Sequence, residues 1–249
     1  MPADALGVSR RGSGRRLVLV HGFTQTARSW DPLTSRLAER FEVVAVDAPG
    51  HGSSADVVAD LPGGGAMLAD VAGRGTYVGY SMGGRLCLHT ALARPDVVER
   101  LVLVSATGGI DDAEDRAARR AADDALADSI ERDGVDPFLE WWVAQPMFAT
   151  LPDAGLADRR TNTAAGLASS LRLAGTGTQV PLWDRMASID VPVLLVAGAL
   201  DAKFVAAAER MATLLPLATV AVVADAGHTV HLEQPTPFLD VLVHWLATS

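Results

Sequence analysis

The stretch Gly79-Tyr80-Ser81-Met82-Gly83-Gly84-Arg85 sets a serine between glycines, where an apolar run ends and a helical pattern begins. Residues 74–78 before it read as a strand, and residues 85–92 after it read as a helix. The spacing G-x-S-x-G in this context is typical of a sharp strand-to-helix turn that presents a reactive serine. Such a turn needs neighbours without side chains, and it puts Ser81 at a helix N-terminus, where developing negative charge is favoured.

Short apolar runs alternate with helical patterns on both sides of this turn. Further strands are predicted at residues 16–20, 42–46, 100–104, 193–197 and 219–223. Helices are predicted at residues 30–40, 82–94, 205–214 and 236–246. Residues 61–72 contain three consecutive glycines and are predicted as a loop that leads into a helix. This alternation predicts an α/β fold, with a mostly parallel sheet flanked by helices on both faces.

The pattern changes at residue 111, where arginines and aspartates stand among alanines, and no further strand is legible before residue 192. Helical, aromatic and turn-rich pieces fill this interval, including residues 138–142, 145–148 and 156–173. Because the interval is longer than a usual strand-to-strand connection, we predict an inserted helical cap at residues 109–184. The core would then comprise residues 1–108 and 185–249. The alternative is a run of ordinary crossover helices.

Composition excludes several classes of protein. A net charge of −9 and a pI near 5.0 argue against nucleic acid as a partner. The mean hydropathy is +0.21, but no apolar stretch approaches the length of a membrane span, so no stable membrane insertion is expected. The N-terminal residues are polar and basic without a secretory pattern, which favours a cytoplasmic location. The single cysteine, Cys87, excludes an internal disulfide and is expected to be buried in the core. The sequence does not indicate an oligomeric state.

A serine hydroxyl needs a histidine to take its proton and a carboxylate to orient that histidine. Asp201 and His228 each follow a predicted strand, and the order Ser81, Asp201, His228 is that of the α/β-hydrolase fold. Asp225 is the competing acid, but it stands three residues from His228 and would have to fold back sharply. His231 is the competing base, and its position one turn after His228 favours a place at the start of a helix.

The same fold predicts an oxyanion hole from two backbone N–H groups, those of Met82 after the nucleophile and Phe23 after the first strand. Of the remaining histidines, His51 is expected to brace its loop, while His89 and His244 fall inside predicted helices. Neither metal-ligand spacing nor a phosphate-binding glycine loop is present, and no cofactor is expected.

Beyond these features, the chain resembles the 2-succinyl-6-hydroxy-2,4-cyclohexadiene-1-carboxylate synthases of menaquinone biosynthesis, the MenH family, nearly from end to end. The motifs that carry the resemblance are His21-Gly22-Phe23, the elbow from Gly79 to Arg85, Gln145-Pro146-Met147-Phe148-Ala149, Gly175-Thr176-Gly177, Asp201-Ala202-Lys203-Phe204 and Ala226-Gly227-His228. The triad and oxyanion motifs fit many esterases. The Gly-Gly-Arg sequence after Ser81 and the Asp-x-Lys-Phe sequence that begins at Asp201 are typical of far fewer proteins.

The resemblance implies that Arg85, Arg119 and Arg159 hold substrate carboxylates, with Arg160 competing for the place of Arg159. Arg85 is also four residues after Ser81, and hence on the same helix face one turn away. Guanidinium groups suit bidentate carboxylate binding, so an arginine beside the serine makes sense next to an anion.

The resemblance also implies that Tyr80 and Trp142 line the pocket, with Trp141 competing with Trp142. The expected substrate is a small polycarboxylate, 2-succinyl-5-enolpyruvyl-6-hydroxy-3-cyclohexene-1-carboxylate. Ser81 would remove a ring proton, the oxyanion hole would stabilise charge on the succinyl carbonyl, and pyruvate would leave. One alternative is a carboxylesterase or C–C bond hydrolase that acts through an acyl-enzyme. The other is a receptor without catalysis, which the complete triad argues against.

Overall fold

The protein, seen in a computed structural model, is described over residues 5–152 and 158–248. The strands in these ranges are β1 Val8–Arg11, β2 Arg15–Val20, β3 Phe41–Val46, β4 Gly75–Tyr80, β5 Val98–Val104, β6 Val193–Gly198 and β7 Ala218–Val223. The helices are α1 Asp31–Ala38, α2 Leu61–Ala72, α3 Met82–Ala93, α4 Ala113–Asp133, α5 Val135–Val143, α6 Ala164–Ala174, α7 Ala202–Leu214, α8 Val230–Glu233 and α9 Pro235–Thr248.

The strands form one seven-stranded sheet in the order β1-β3-β2-β4-β5-β6-β7. Every neighbouring pair is parallel except β1 with β3. The central strand β4 is buried along its whole length, as expected for a parallel strand covered on both faces. The predicted α/β class with a mostly parallel sheet is confirmed.

Two hydrophobic cores cover the two faces of the sheet. On one face α2, α3 and α7 bury side chains such as Leu68, Leu86 and Met211 against the strands. On the other face α1 and α9 bury residues such as Leu33 and Leu242. The sheet is therefore the middle layer of three. The carboxyl ends of its parallel strands share one edge, where the loops after β4, β6 and β7 meet.

The edge strand β1 is not predicted by the sequence pattern. Val8 is its sole apolar residue, and the other three residues are exposed. It pairs antiparallel with β3 from Val8 opposite Val46 to Arg11 opposite Val43. Pairing to a neighbour, rather than its own hydrophobic pattern, makes this segment a strand.

The prediction of a loop at the start of residues 61–72 is wrong, because α2 is helical from Leu61 onward. The Asp60 side chain accepts a hydrogen bond from the Gly63 N–H at 2.7 Å and caps the helix. A Cβ atom on Gly65 would lie 3.0 Å from the backbone nitrogen of Thr90 in α3. The glycines therefore serve close helix packing, which offsets their low helix propensity.

The segment between β5 and β6 is helical in its described part and contributes no strand there. Its helices α4, α5 and α6 pack around a small core of their own, which includes Ile130, Leu139 and Leu167. The predicted helical stretch 156–173 begins outside the described residues, and α6 occupies its second half. The boundaries of a cap at residues 109 and 184 stay a prediction. Among the described helices, none combines the length and apolar character that crossing a membrane requires.

Candidate active site

Ser81 sits on the sharp turn between β4 and α3, with φ of 52° and ψ of −109°. A positive φ is strained for a serine and is held by the packing around it. A Cβ atom on Gly79 would lie 2.4 Å from the carbonyl oxygen of Gly83, and one on Gly83 would lie 2.3 Å from that of Val20. The two glycines of the motif are thus required by close backbone contacts.

Ser81, His228 and Asp201 form one hydrogen-bonded chain. His228 Nδ1 lies 2.8 Å from Asp201 Oδ2, and His228 Nε2 lies 3.2 Å from Ser81 Oγ. With the carboxylate accepting from Nδ1–H, the lone pair of Nε2 faces the serine hydroxyl and can accept its proton. His228 is 2% exposed, so this proton transfer is shielded from water.

The two competing residues lie elsewhere. Asp225 is exposed, and its carboxylate accepts no hydrogen bond within the described residues. His231 is fully buried and stacks on Trp30, with 4.2 Å between ring centroids. Burial lowers the pKa of His231 to about 3, so its ring is neutral. Neither residue takes part in the chain that ends at Ser81.

Phe23 and Met82, whose backbone N–H groups are the predicted oxyanion donors, both line the cavity in front of Ser81. Within residues 5–152 and 158–248, neither group donates to a protein acceptor. Met82 begins α3, where the N–H groups of the first turn have no partner in the helix. The two donors are therefore free for an anionic oxygen, although their role in an oxyanion hole stays a prediction.

Two buried histidines hold the loop that carries Phe23. His21 Nε2 accepts from the Ala48 N–H at 3.0 Å, and His51 Nε2 accepts from the Thr24 N–H at 3.2 Å. Burial lowers the pKa of His51 to about 3, which keeps Nε2 free as an acceptor. His51 Nδ1 also lies 3.0 Å from the Pro49 carbonyl in its own loop, so His51 links its loop to that of Phe23.

The same loop is also tied to the segment between β5 and β6. The Asp158 carboxylate accepts from the Thr26 N–H at 2.9 Å and from the Thr26 hydroxyl. Asn162 Nδ2 donates to the Thr24 carbonyl at 2.6 Å, and its Oδ1 accepts from the Gly52 N–H at 2.9 Å. Asp158 and Asn162 therefore fasten residues 24–26, next to the Phe23 N–H.

A cavity of about 430 Å³ opens in front of Ser81 and extends beneath α4, α5 and α6. Its apolar wall includes Phe23, Tyr80, Trp141, Trp142, Phe148 and Phe204. Its charged lining includes Arg85, Arg119, Asp123 and Lys203. Nowhere in the described ranges do three or more His, Cys, Asp or Glu side chains form a group that could hold a metal ion. The site can thus bind an anionic organic molecule directly over the serine.

Arg85 is buried at the cavity wall, and it donates from one terminal nitrogen to the Ala174 carbonyl at 2.7 Å and to Gln179 Oε1 at 3.4 Å. Arg119 donates to Asp123 at 2.8 Å, whereas none of the described carboxylates forms an ion pair with Arg85. Burial and the nearby Arg119 lower the pKa of Arg85 to about 10, which leaves it charged at neutral pH. Two cations facing one carboxylate leave this end of the cavity positive.

Arg159 does not line the cavity, although the resemblance implies that it contacts the substrate. It is 1% exposed, donates to Thr24 Oγ1, and lies with its guanidinium 5.7 Å from the centre of the Phe148 ring. Two of its nitrogens have no acceptor among the described residues. Arg160 is exposed and pairs with Asp136 at 3.2 Å. A role for Arg159 in binding a carboxylate stays a prediction.

Both candidate tryptophans and Tyr80 line the cavity. Trp142 packs edge-on against Phe23, with 5.5 Å between centroids, and its indole N–H is buried without an acceptor in the described chain. Trp141 is 48% exposed. The Tyr80 hydroxyl is hydrogen-bonded to Thr229 Oγ1 at 3.0 Å. Trp142 therefore contributes an aromatic wall to the cavity, while Tyr80 supports the loop of His228.

Two cavity residues received no role from the sequence. Phe204 lies with its ring 4.5 Å from that of His228, and Lys203 stands beside it at the cavity rim. Both follow Asp201 at the start of α7. Their position just after a predicted acid, at the carboxyl end of a strand, is the signal that marks them.

Comparisons with known proteins agree with this geometry. A model of the alpha/beta hydrolase family matches residues 17–241. A 2-succinyl-6-hydroxy-2,4-cyclohexadiene-1-carboxylate synthase from Klebsiella pneumoniae is 31% identical in an alignment of 245 positions that covers 93% of this chain and 94% of the relative. A Bacillus subtilis protein, provisionally given the same synthase name, is 36% identical in an alignment of 255 positions that covers 93% of this chain and 90% of that protein. The structure of MenH from S. aureus superimposes with a TM-score of 0.90 at 29% identity and covers 98% of both chains.

Proposed function

The chain belongs to the alpha/beta hydrolase family and, within it, to the 2-succinyl-6-hydroxy-2,4-cyclohexadiene-1-carboxylate synthases, and on that basis we propose that Ser81, His228 and Asp201 carry the reaction of these synthases. The enzyme is accordingly a lyase of menaquinone biosynthesis built on a hydrolase fold. The resemblance inferred from the elbow and the acid motif is thereby confirmed.

The observation that carries the proposal is the position of a buried, charged Arg85 in the same cavity as Ser81. A buried charge is costly unless an opposite charge compensates it. A substrate carboxylate supplies that charge, and Arg119 adds a second cation at the same end. The substrate would thus lie with a carboxylate at the arginines and its reacting carbon over the serine.

The proposed step is a proton transfer followed by elimination. His228 Nε2 takes the Ser81 hydroxyl proton as Ser81 Oγ removes the ring proton next to the succinyl carbonyl. The electron pair of the broken C–H bond moves toward that carbonyl oxygen, where the Phe23 and Met82 N–H groups would stabilise the charge. When the pair returns through the ring, the bond to the enolpyruvyl oxygen breaks. The proton held on His228 can then pass to the departing group, which leaves as pyruvate.

Preorganisation supports this assignment. Proton abstraction gains chiefly from holding the donor carbon close to the base in one orientation. Arg85 and Arg119 at one end and the aromatic wall of Tyr80 and Trp142 along the side provide that constraint. A polycarboxylate substrate and the cytoplasmic location expected from the sequence belong to the same proposal.

The test compares two substrates on one purified protein. We expect release of pyruvate from 2-succinyl-5-enolpyruvyl-6-hydroxy-3-cyclohexene-1-carboxylate, with formation of a conjugated diene, and only feeble turnover of p-nitrophenyl acetate. Rapid mixing with the ester should give no fast burst of p-nitrophenol, because the arginine-lined cavity offers a neutral acetyl ester no charge partner to hold it over Ser81. Efficient ester turnover with a burst, and no pyruvate above the spontaneous rate, would replace the lyase by the esterase alternative.

A further inference from the structure

A single carboxylate binds the backbone on both sides of His228. Glu233, the last residue of α8, accepts from the Gly227 N–H at 2.5 Å and from the Thr229 N–H at 2.7 Å. The imidazole of His228 itself is hydrogen-bonded to Asp201 and Ser81. The position of the ring in front of the serine therefore depends on a peptide segment whose two flanking N–H groups are both anchored to Glu233.

The same carboxylate reaches the segment between β5 and β6. The Thr150 hydroxyl donates to Glu233 Oε2, the oxygen that also accepts from the Gly227 N–H. A Cβ atom on Gly227 would lie 2.6 Å from Thr150 Oγ1 and 2.9 Å from Glu233 Oε2. Only glycine leaves room for this contact, so the two sides meet at the residue before His228.

On its other side the network returns to the nucleophile. Thr229, held through its N–H by Glu233, is hydrogen-bonded through its hydroxyl to the Tyr80 hydroxyl at 3.0 Å. Tyr80 directly precedes Ser81. Hydrogen bonds therefore run from Thr150 through Glu233 and Thr229 to the strand that ends at the serine.

Among the residues that the structure describes, Glu233 contacts neither the cavity nor a charged partner. Its side chain does not line the cavity, and across the described ranges it forms no ion pair with a lysine, arginine or histidine. Hydrogen bonds from two peptide N–H groups and one hydroxyl to a charged carboxylate are strong and directional. Its geometry fits a bracket for the loop it holds.

We propose that Glu233 is a positioning residue for His228, and that Thr150 couples this positioning to the helical segment over the cavity. Any ligand that tightens that segment at Thr150 then also tightens the loop of His228, because coupling between two sites acts in both directions. The proposal rests on the proposed function only in taking Ser81 and His228 as the reacting pair.

The variants separate positioning from folding. Glu233→Gln keeps one carbonyl acceptor but turns an NH₂ group toward the remaining donors, so part of the bracket is lost. Thr150→Val removes the hydroxyl and keeps the shape, while Thr150→Ser keeps the donor. Asp225→Asn is the matched control, since this exposed carboxylate lies on the same loop without a hydrogen bond to the described residues.

The main readout is the rate at which a small arylsulfonyl fluoride labels Ser81, because this reaction needs the serine–histidine pair but not the lyase substrate. We expect Glu233→Gln and Thr150→Val to lower the labelling rate constant and kcat by at least about 5-fold, with KM changed by less than about 2-fold. Thr150→Ser and Asp225→Asn should match the wild type. The proton between His228 Nδ1 and Asp201 should broaden or shift in the NMR spectra of Glu233→Gln and Thr150→Val and stay unchanged in Asp225→Asn.

Wild-type labelling rates in folded Glu233→Gln would overturn the positioning role, and wild-type rates in Thr150→Val would overturn the coupling. Either result would leave the lyase assignment intact if pyruvate is still released. Conversely, labelling that depends on Glu233 in a protein that releases no pyruvate would uphold the inference and remove the substrate assignment.

Discussion

The backbone N–H of Arg85 donates to the carbonyl oxygen of Ser81 at 3.1 Å, closing the first turn of α3. The hydroxyl and the guanidinium thus leave the same helical turn and enter the same cavity. Their separation is fixed by helix geometry rather than by a flexible loop. A substrate carboxylate bound at Arg85 is thereby placed at a set distance from the base.

Replacing Arg85 tests whether this charge binds substrate. Arg85→Met keeps the apolar stem of the side chain and should lower kcat/KM. The drop should correspond to a loss of about 2 to 4 kcal/mol of transition-state binding, the usual cost of losing one partner of a desolvated charged pair. Arg85→Lys should recover part of the loss, because it keeps the charge without the bidentate fork. The measurement is steady-state pyruvate release. Arg120→Ala, exposed on α4, is the control, and an effect at Arg120 with none at Arg85 would contradict the assignment.

The triad residues should act as one unit. Ser81→Ala, His228→Ala and Asp201→Asn are each expected to lower turnover by at least about 10³-fold, and the double variant Ser81→Ala, His228→Ala should be little worse than Ser81→Ala. Circular dichroism checks that each variant is folded. Near-wild-type turnover in folded Asp201→Asn would remove Asp201 from the acid role, whereas Asp225→Asn should leave turnover unchanged.

Asn162 should support the oxyanion donors at a distance. It holds the Thr24 carbonyl and the Gly52 N–H, and Thr24 has a strained φ of 69° next to Phe23. Asn162→Ala should lower kcat by about 10- to 100-fold, less than the roughly 10²- to 10³-fold cost of removing an oxyanion donor outright, with a smaller change in KM. Thr161→Ser, in the same turn, is the control, because it keeps the hydroxyl that donates to the Asp158 carbonyl. An unchanged kcat in folded Asn162→Ala would show that the loop keeps its shape without this bond.

His231 should make the fold sensitive to acid. Burial, with the nearby Arg159 cation adding to it, lowers its pKa to about 3, whereas the same histidine in the unfolded chain has a pKa of about 6.5. Between these values the unfolded state holds a proton that the native state does not, so the free energy of unfolding falls as the pH falls from about 6.5. That stability is fully present above about pH 6.5.

His231→Phe removes this proton and also the two ring nitrogens, which have no partner in the described residues. Denaturant unfolding at pH 8 and pH 5 measures the free energy of unfolding of both proteins. Between these conditions the wild type should lose about 2 kcal/mol more than the variant, because each pH unit below about 6.5 costs it about 1.4 kcal/mol. His244→Gln, exposed on α9, should change nothing. Parallel pH dependence of the wild type and His231→Phe would place the acid sensitivity elsewhere.

Most of the core could be predicted because its signals are local. Buried parallel strands are continuous apolar runs, and β4, β5 and β6 stand where such runs predict them. The strand β1 could not be predicted, because Val8–Arg11 becomes a strand through pairing with β3. The glycines of α2 read as a loop because the contact of Gly65 with Thr90 is long-range and leaves no local pattern.

The site divides in the same way. Ser81, Asp201 and His228 follow strands and are legible from their order along the chain. The bracket made by Glu233 and Thr150 joins residues 83 positions apart, and the clamp of Asn162 on Thr24 spans 138. No sequence period connects such pairs. The burial of Arg159 against Thr24 and Phe148 likewise depends on packing that the motif does not contain, and its role in binding a carboxylate stays a prediction.

The strands that flank the helical segment are neighbours in the sheet, and the Leu182 N–H donates to the Gly108 carbonyl at 2.8 Å where the segment begins and ends. This hydrogen bond joins the two ends of the insertion between β5 and β6. Insertions with adjoining ends can be exchanged at little cost to the fold that carries them. The helical segment can therefore be replaced as a unit. A segment transplanted from a relative at this junction should change which carboxylate substrate the protein binds, while the positions of Ser81, Asp201 and His228 relative to one another stay the same.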